Sequence, residues 1–197
     1  MNGDAWTEVA YISIAEQGEA NYEFASPTSS IDIDEGDKEF DSVPNMKGGR
    51  LIVDKAQEDT MVTLELYPIE LSPADNLGGL SQYLNGVGTM DVAGAMESTT
   101  SRNRLLMRIS ILWTDDSDVS AGITAVASGS TGIRWVGAEG RLVSLKKSFT
   151  DGVLKHTAKF RFPPFDKDGS ANIHEESCDA TAELAAIDAY TSSNKFR

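Results

Sequence analysis

The ten residues RLLMRISILW, 104–113, restrict the fold more than any other stretch of the chain. Leu105, Met107, Ile109, Ile111 and Trp113 fall on one side of an extended strand, and Arg104, Leu106, Arg108, Ser110 and Leu112 on the other. A period of two marks a strand with one buried face. The second face mixes charge with leucine, which suits a strand whose far side meets a partner or a channel rather than open water. Residues 153–162 repeat the pattern more cleanly. There Leu154, His156, Ala158, Phe160 and Phe162 oppose Val153, Lys155, Thr157, Lys159 and Arg161. Two such stretches demand a sheet, so the chain is read as mainly β.

Shorter runs rich in β-branched and aromatic residues extend that sheet: 6–14, 22–24, 51–53, 61–66, 133–136, 141–145 and 172–177. Asp151-Gly152 between two of them is a hairpin turn signal. Pro163-Pro164 stops the strand before it. Ser72-Pro73-Ala74-Asp75 opens a helix, with serine as cap and proline in the first turn. Leu77, Leu80 and Leu84 continue it at helical spacing, and Asn85-Gly86 ends it. An alanine-rich stretch at 180–190 reads as a second short helix, and 191–197 as a loose tail. Residues 31–59 read as a long hairpin arm that buries little of itself. The stretch 86–101, rich in Gly, Ala, Ser and Thr, reads as a loop, and the small-residue stretch 119–131 as a mobile loop or a short helix. With 197 residues and no composition break, the expectation is one domain over the whole chain.

The formal net charge is −14 and is unevenly spread. Residues 1–100 hold 19 acids and 4 bases, a net of −15, while residues 101–197 hold 12 acids and 13 bases, a net of +1. So acidic a chain opposes direct binding to nucleic acid, which needs clustered Lys and Arg. It does not oppose enclosing nucleic acid, because a like-charged wall repels it and lets it slide. Asymmetry of this kind guides head-to-tail packing of identical copies.

Chemistry finds little footing. The chain has one cysteine, Cys178, read as a small half-buried residue, and two histidines. His156 lies on an apolar face and is expected to be a core residue. No Gly-x-Ser-x-Gly elbow occurs, and three scattered His and Cys residues do not make a zinc cluster. Asp32, Asp34 and Asp37 suggest a calcium loop, but the sixth position from Asp32 is Asp37 rather than glycine and the twelfth is Val43. Asp115, Asp116 and Asp118 read as a solvated turn. No apolar run approaches the roughly 18 residues of a membrane span. The expectation is therefore a soluble protein made in the cytoplasm, with no enzymatic activity, no cofactor and no metal.

The order of motifs in the second half does resemble something. A strand ending ILWT is followed by a loop, the strand GIRWVG, and then LVSLKKSFTDGVLKHTAKFRFPP and FDKDGSANIHEESCDA. A basic hairpin around SFTDG and a long strand closing on Pro-Pro look like the tail tube proteins of long-tailed viruses. The first half fits too, with a strand, an acidic hairpin arm, a strand and one helix. The same fold recurs in the inner tubes of contractile injection machines, and the acidic excess suits a haloarchaeal host.

That resemblance implies a β-barrel or sandwich with one flanking helix and a long hairpin arm. It implies six copies joined edge to edge in a ring, with rings stacked into a tube. The lumen would conduct the viral genome. Partners would be further copies of the chain and tail terminator, baseplate and tape-measure proteins, in a virion tail assembled in the host cytoplasm. Asp32, Asp34, Glu35, Asp37, Glu39 and Asp41 would line the bore or reach the next ring. Arg102, Arg104, Arg108, Lys146, Lys147, Lys155 and Lys159 would meet acidic surface on a neighbour. The contrasting expectation is a ligand- or carbohydrate-binding β-sandwich, with Trp113 and Trp135 as its aromatic platform.

Overall fold

A computed structural model of the chain describes residues 9–16, 22–24, 28–67, 106–114, 131–166 and 168–178. Ten strands lie among them: β1 (Val9–Glu16), β2 (Tyr22–Phe24), β3 (Thr28–Asp34), β4 (Phe40–Pro44), β5 (Arg50–Asp54), β6 (Thr60–Leu66), β7 (Met107–Thr114), β8 (Gly132–Thr150), β9 (Val153–Phe162) and β10 (Ile173–Cys178). Eight form one curled sheet in the order β2-β1-β7-β8-β9-β6-β3, with β10 also paired to β8. Every pairing is antiparallel. The other two strands, β4 and β5, form a separate hairpin. The mainly β expectation holds. Both expected helices, at 72–85 and 180–190, lie outside the described residues, as do the loop at 86–101 and the tail at 191–197.

The long strand β8 joins two halves of the sheet. Residues 132–140 pair with β7, and residues 132–137 also pair with β10 on the opposite edge. Residues 141–150 pair with β9. The two halves face each other across one core. It takes Ile12 and Ile14 from β1, Met107, Ile109 and Ile111 from β7, and Trp135 and Leu142 from β8. From the other half come Ala158, Phe160 and Phe162 of β9 and Val62, Leu64 and Leu66 of β6. Ile31 and Ile33 of β3 pack against it. The alternation in β6 and β9 is the reason: each puts every second side chain inside.

Two features correct the expectations from the sequence, the first in β8. Residues 133–136 and 141–145 are not separate strands, because Gly137 and Gly140 lie inside one strand rather than between two. A Cβ on Gly137 would stand 2.6 Å from the ring of Phe162, and one on Gly140 would also run into that ring. The glycines admit an aromatic ring against the backbone, a recognised use of glycine within a strand. Phe162 meets Trp135 there edge to face, with centroids 5.6 Å apart and planes at 86°. The strand also carries an extra residue against each partner, once between Gly137 and Gly140 and once at Val143. Such bulges bend a strand, which lets one strand serve both halves.

The second correction concerns β7. Its outer face does not meet a partner or a channel, since Arg108, Ser110 and Leu112 are as buried as the core face. On the same face Arg134 of β8 donates from Nε and Nη2 to Glu176 Oε2 of β10, at 3.1 and 2.6 Å. A buried guanidinium needs such a partner to offset its lost hydration.

Between β9 and β10 the chain makes a short detour closed by Phe165 and Ala171. Asn172 fastens it. Its side-chain N–H groups donate to the carbonyls of Glu139 and Pro163, and its side-chain oxygen accepts the Glu139 N–H at 2.7 Å. The backbone groups loosened by the first bulge of β8 are thereby satisfied.

Candidate assembly site

The features of this chain that invite chemistry of recognition are two sheet edges, one charged face and a projecting hairpin. Consider first the four strands β3, β6, β9 and the second half of β8. One face is core. On the other, register sets the side chains in rows. Asp34, Met61, Arg161 and Arg141 form one row. Asp32, Thr63, Lys159 and Ser144 form the next, followed by Ser30, Glu65, Thr157 and Lys146. Carboxylates therefore stand at the β3 edge and bases on β9 and β8.

Two ion pairs stand on this face, one toward each end. Lys155 donates to Glu65 at 2.7 Å and stands 5.3 Å from the ring centroid of Tyr67. The hydrogen bond to Glu65 raises the Lys155 ammonium above its usual range, partial burial opposes it, and the charge of Glu65 adds to it. Arg161 pairs with Asp59. Where β7 parts from β8 lies an open cavity of about 470 Å³, lined by Leu106, Leu142, Val143 and Pro163 with Glu139 and Arg141 at its polar side.

Both outer edges of this four-strand unit lack a strand partner among the described residues. β3 pairs only with β6. Residues 141–150 of β8 pair with β9 alone, because the β7 ladder stops at Met107 opposite Gly140. Unpaired edges are templates for another strand.

The hairpin β4–β5 springs from the end of the unit where Asp34 and Thr60 lie. Its root is pinched by Gly36, which has φ of 71° and donates its N–H to Asp34 Oδ1. The ladder continues through Glu58 N–H to Asp37 O and Lys55 N–H to Glu39 O. At the tip Asn45 Oδ1 accepts the N–H groups of Lys47 and Gly49. Every residue from 40 to 54 is exposed, including Phe40 at 64%, Leu51 at 62% and Ile52 at 64%. At the opposite end of the unit the β8–β9 hairpin turns on Asp151 and Gly152, with φ of 52° and 78°. Phe149 and Leu154 sit directly opposite each other there, and both are exposed.

The expected site residues divide accordingly. Asp32 and Asp34 belong to the charged face, while Glu35, Asp37, Glu39 and Asp41 run from the root of the hairpin into its first strand. Glu39 and Asp41 both meet Lys55. Lys146, Lys155 and Lys159 lie on the charged face, and Lys147 lies on the core side near the β8–β9 turn. Arg102 and Arg104 fall outside the described residues. Arg108 leaves the interface set, because at 1% exposure it lies inside the subunit. The aromatic platform also fails: Trp135 is buried beneath Phe162 and Trp113 packs against the core. His156 is a buried residue, as expected, and its imidazole is pushed below its usual range, chiefly by burial and secondly by Lys147.

The sequence reading missed the apolar character of the hairpin. The signal was present: Phe40, Val43, Leu51, Ile52 and Val53 flank a Gly-Gly tip without a polar alternation. No transmembrane helix is found among the described residues.

The chain is similar to a component of the anti-feeding prophage baseplate, solved with six-fold symmetry, with a TM-score of 0.50 at 11% identity over 92% of this chain and 99% of that one. It is also similar to a chain of the sheath-tube complex of the PVC extracellular contractile injection system, with a TM-score of 0.48 at 12% identity over 89% and 95% of the two chains. No family model and no curated protein matches the sequence.

Proposed function

We propose that this chain is a structural subunit of a tail-tube-like assembly: copies join edge to edge into rings, and rings stack into a hollow tube. The observation that carries this reading is the four-strand unit whose two edges, of opposite charge, have no strand partner among the described residues. Its strands alternate in direction, and their number is even. A copy related by rotation therefore presents its β8 antiparallel to the first copy's β3, so the ladder continues without a break in pattern. The same step brings Asp32 and Asp34 of one copy beside Arg141 and Lys146 of the next. Such a contact is heterologous, and it closes only when the rotation divides a full turn. Six copies are the proposed number, in keeping with the six-fold baseplate that holds the structural neighbour.

In this reading the charged face of the four strands is the wall offered to the channel, since the opposite face is occupied by the core. Asp32 and Asp34 stand on it, and nucleic acid passes without specific binding. The chain's partners are its own copies, with terminator, baseplate and tape-measure proteins at the ends and in the bore, within a viral tail or the inner tube of an injection machine. The role is structural, with no catalysis.

Electron microscopy of the purified protein tests the ring, with six-fold rings or hollow filaments expected. Asp32→Lys with Asp34→Lys should leave monomers. Adding Arg141→Glu and Lys146→Glu to that variant should restore rings. Monomers of the unaltered protein at high concentration overturn the reading.

A further inference from the structure

We infer that the tip of the β8–β9 hairpin is a docking site for an anionic lipid bilayer, dipping its apolar side chains into the headgroup layer. The β8–β9 ladder outruns the core. Leu145 opposite Ala158 is the last pair that packs in the core cluster. Beyond it Phe149 stands opposite Leu154, and Thr150 opposite Val153. Phe149 is 72% exposed, Val153 43% and Leu154 41%. Asp151 and Gly152 close the hairpin as a two-residue loop with both residues at positive φ, so the tip is narrow. Phe149 and Leu154 lie on the core side of the two strands, and Val153 lies on the charged side. An exposed apolar patch marks a site for protein or membrane. Apolar groups on both sides of a narrow tip leave no single face for a flat protein partner. A lipid surface closes around such a prong from every side.

Charge names the kind of surface. Residues 143–159 hold one acid and four bases, a net of +3, within a chain of net −14. Lys155 is held by Glu65, so the cations offered outward are Lys146 and Lys147, exposed on opposite faces just behind the tip. From the rung of Ser148 and Lys155 to the turn is about 10 Å at the usual rise per residue. Interfacial apolar groups sink roughly 5–10 Å into the headgroup boundary. The lysines are then level with the lipid phosphates, which attract bases beside a membrane. Insertion stops there, because Asp151 sits at the turn and unpaired backbone groups at the β8 edge do not enter hydrocarbon. The β4–β5 hairpin gives the contrast. It too exposes Phe40, Leu51 and Ile52, but residues 35–59 hold seven acids and four bases, a net of −3. An anionic surface repels it, so only one of the two apolar hairpins has the fitting sign.

Flotation of the full chain with lipid vesicles tests this. Vesicles of phosphatidylcholine with phosphatidylglycerol should carry the protein at least about tenfold better than phosphatidylcholine alone. Phe149→Ser with Leu154→Ser should lower that binding at least about tenfold. Lys147→Glu should lower it by about tenfold. Asp151→Asn should strengthen it, and Phe40→Ser with Ile52→Ser should leave it unchanged. All the altered residues are exposed, so circular dichroism spectra should match the unaltered protein. Equal binding to both kinds of vesicle, or none, would overturn the lipid assignment, as would undiminished binding by Lys147→Glu. Undiminished binding by the Phe149 and Leu154 variant, or an equal loss in the Phe40 and Ile52 variant, would overturn the choice of hairpin. Unchanged or weaker binding by Asp151→Asn would overturn insertion of the turn. Smaller particles from the Phe149 and Leu154 variant on sedimentation, with no lipid binding by the unaltered chain, would show instead that the tip joins protein to protein.

Discussion

Asn172 shows how much one side chain can hold. It satisfies two carbonyls and one N–H that the bulge of β8 and the detour before β10 would otherwise leave bare. Asn172→Ala should cost about 3 kcal/mol, read as a lower urea midpoint, since each buried orphan costs roughly 1–3 kcal/mol. Gly140→Ala should cost about 1–3 kcal/mol by the same measurement, because the new methyl group collides with Phe162. His156 carries a pH signature. Burial and Lys147 depress its folded value, so the unfolded chain binds the proton first on acidification. Its contribution is complete above the unfolded value of about 6.5 and is lost as pH falls below it toward the folded value. Thermal melts between pH 7.5 and 5.5 should fall less steeply for His156→Gln than for the unaltered chain. At this scale the sequence was unequally legible. His156 could be placed because nine neighbours alternate around it. Asn172 could not, because its partners lie 9 and 33 residues away and no local pattern points to them.

At the scale of elements, strands with a long clean period were readable and their boundaries were not. β9 and β6 follow their alternation, because each has one face in the core. β7 broke the rule, since burial on both of its faces erases the distinction that period two records. Glycine signals both strand ends and close packing, so sequence alone splits β8 in two, and only Phe162 in place reveals which applies. The arm was legible as an arm, but residues 31–34 belong to the body, where Ile31 and Ile33 pack on the core. Replacing residues 37–58 by a short Gly-Ser turn should consequently leave folding stability within about 0.5 kcal/mol, as for surface changes generally. Urea denaturation followed by circular dichroism checks this, with an unchanged midpoint expected.

At the scale of the molecule, the uneven charge visible in the sequence became a polarity with direction. Acid lies at the β3 edge and on the arm, base on β9, β8 and their turn. The proposed lateral contact between the β3 and β8 edges is electrostatic and exposed, so it should be screened as salt rises. Sedimentation in 50 mM and 1 M salt should show fewer closed rings in the second, with Asp32→Lys and Asp34→Lys insensitive to the change. What no sequence pattern foretold is that β8 runs unbroken for 19 residues through both halves of the sheet. One end of it turns into β9 at an exposed hairpin, and the other is clasped between β7 and β10. It behaves as a tie-rod. A pull on the β8–β9 turn passes along it into the core, where Phe162 and Asn172 hold down the glycine stretch.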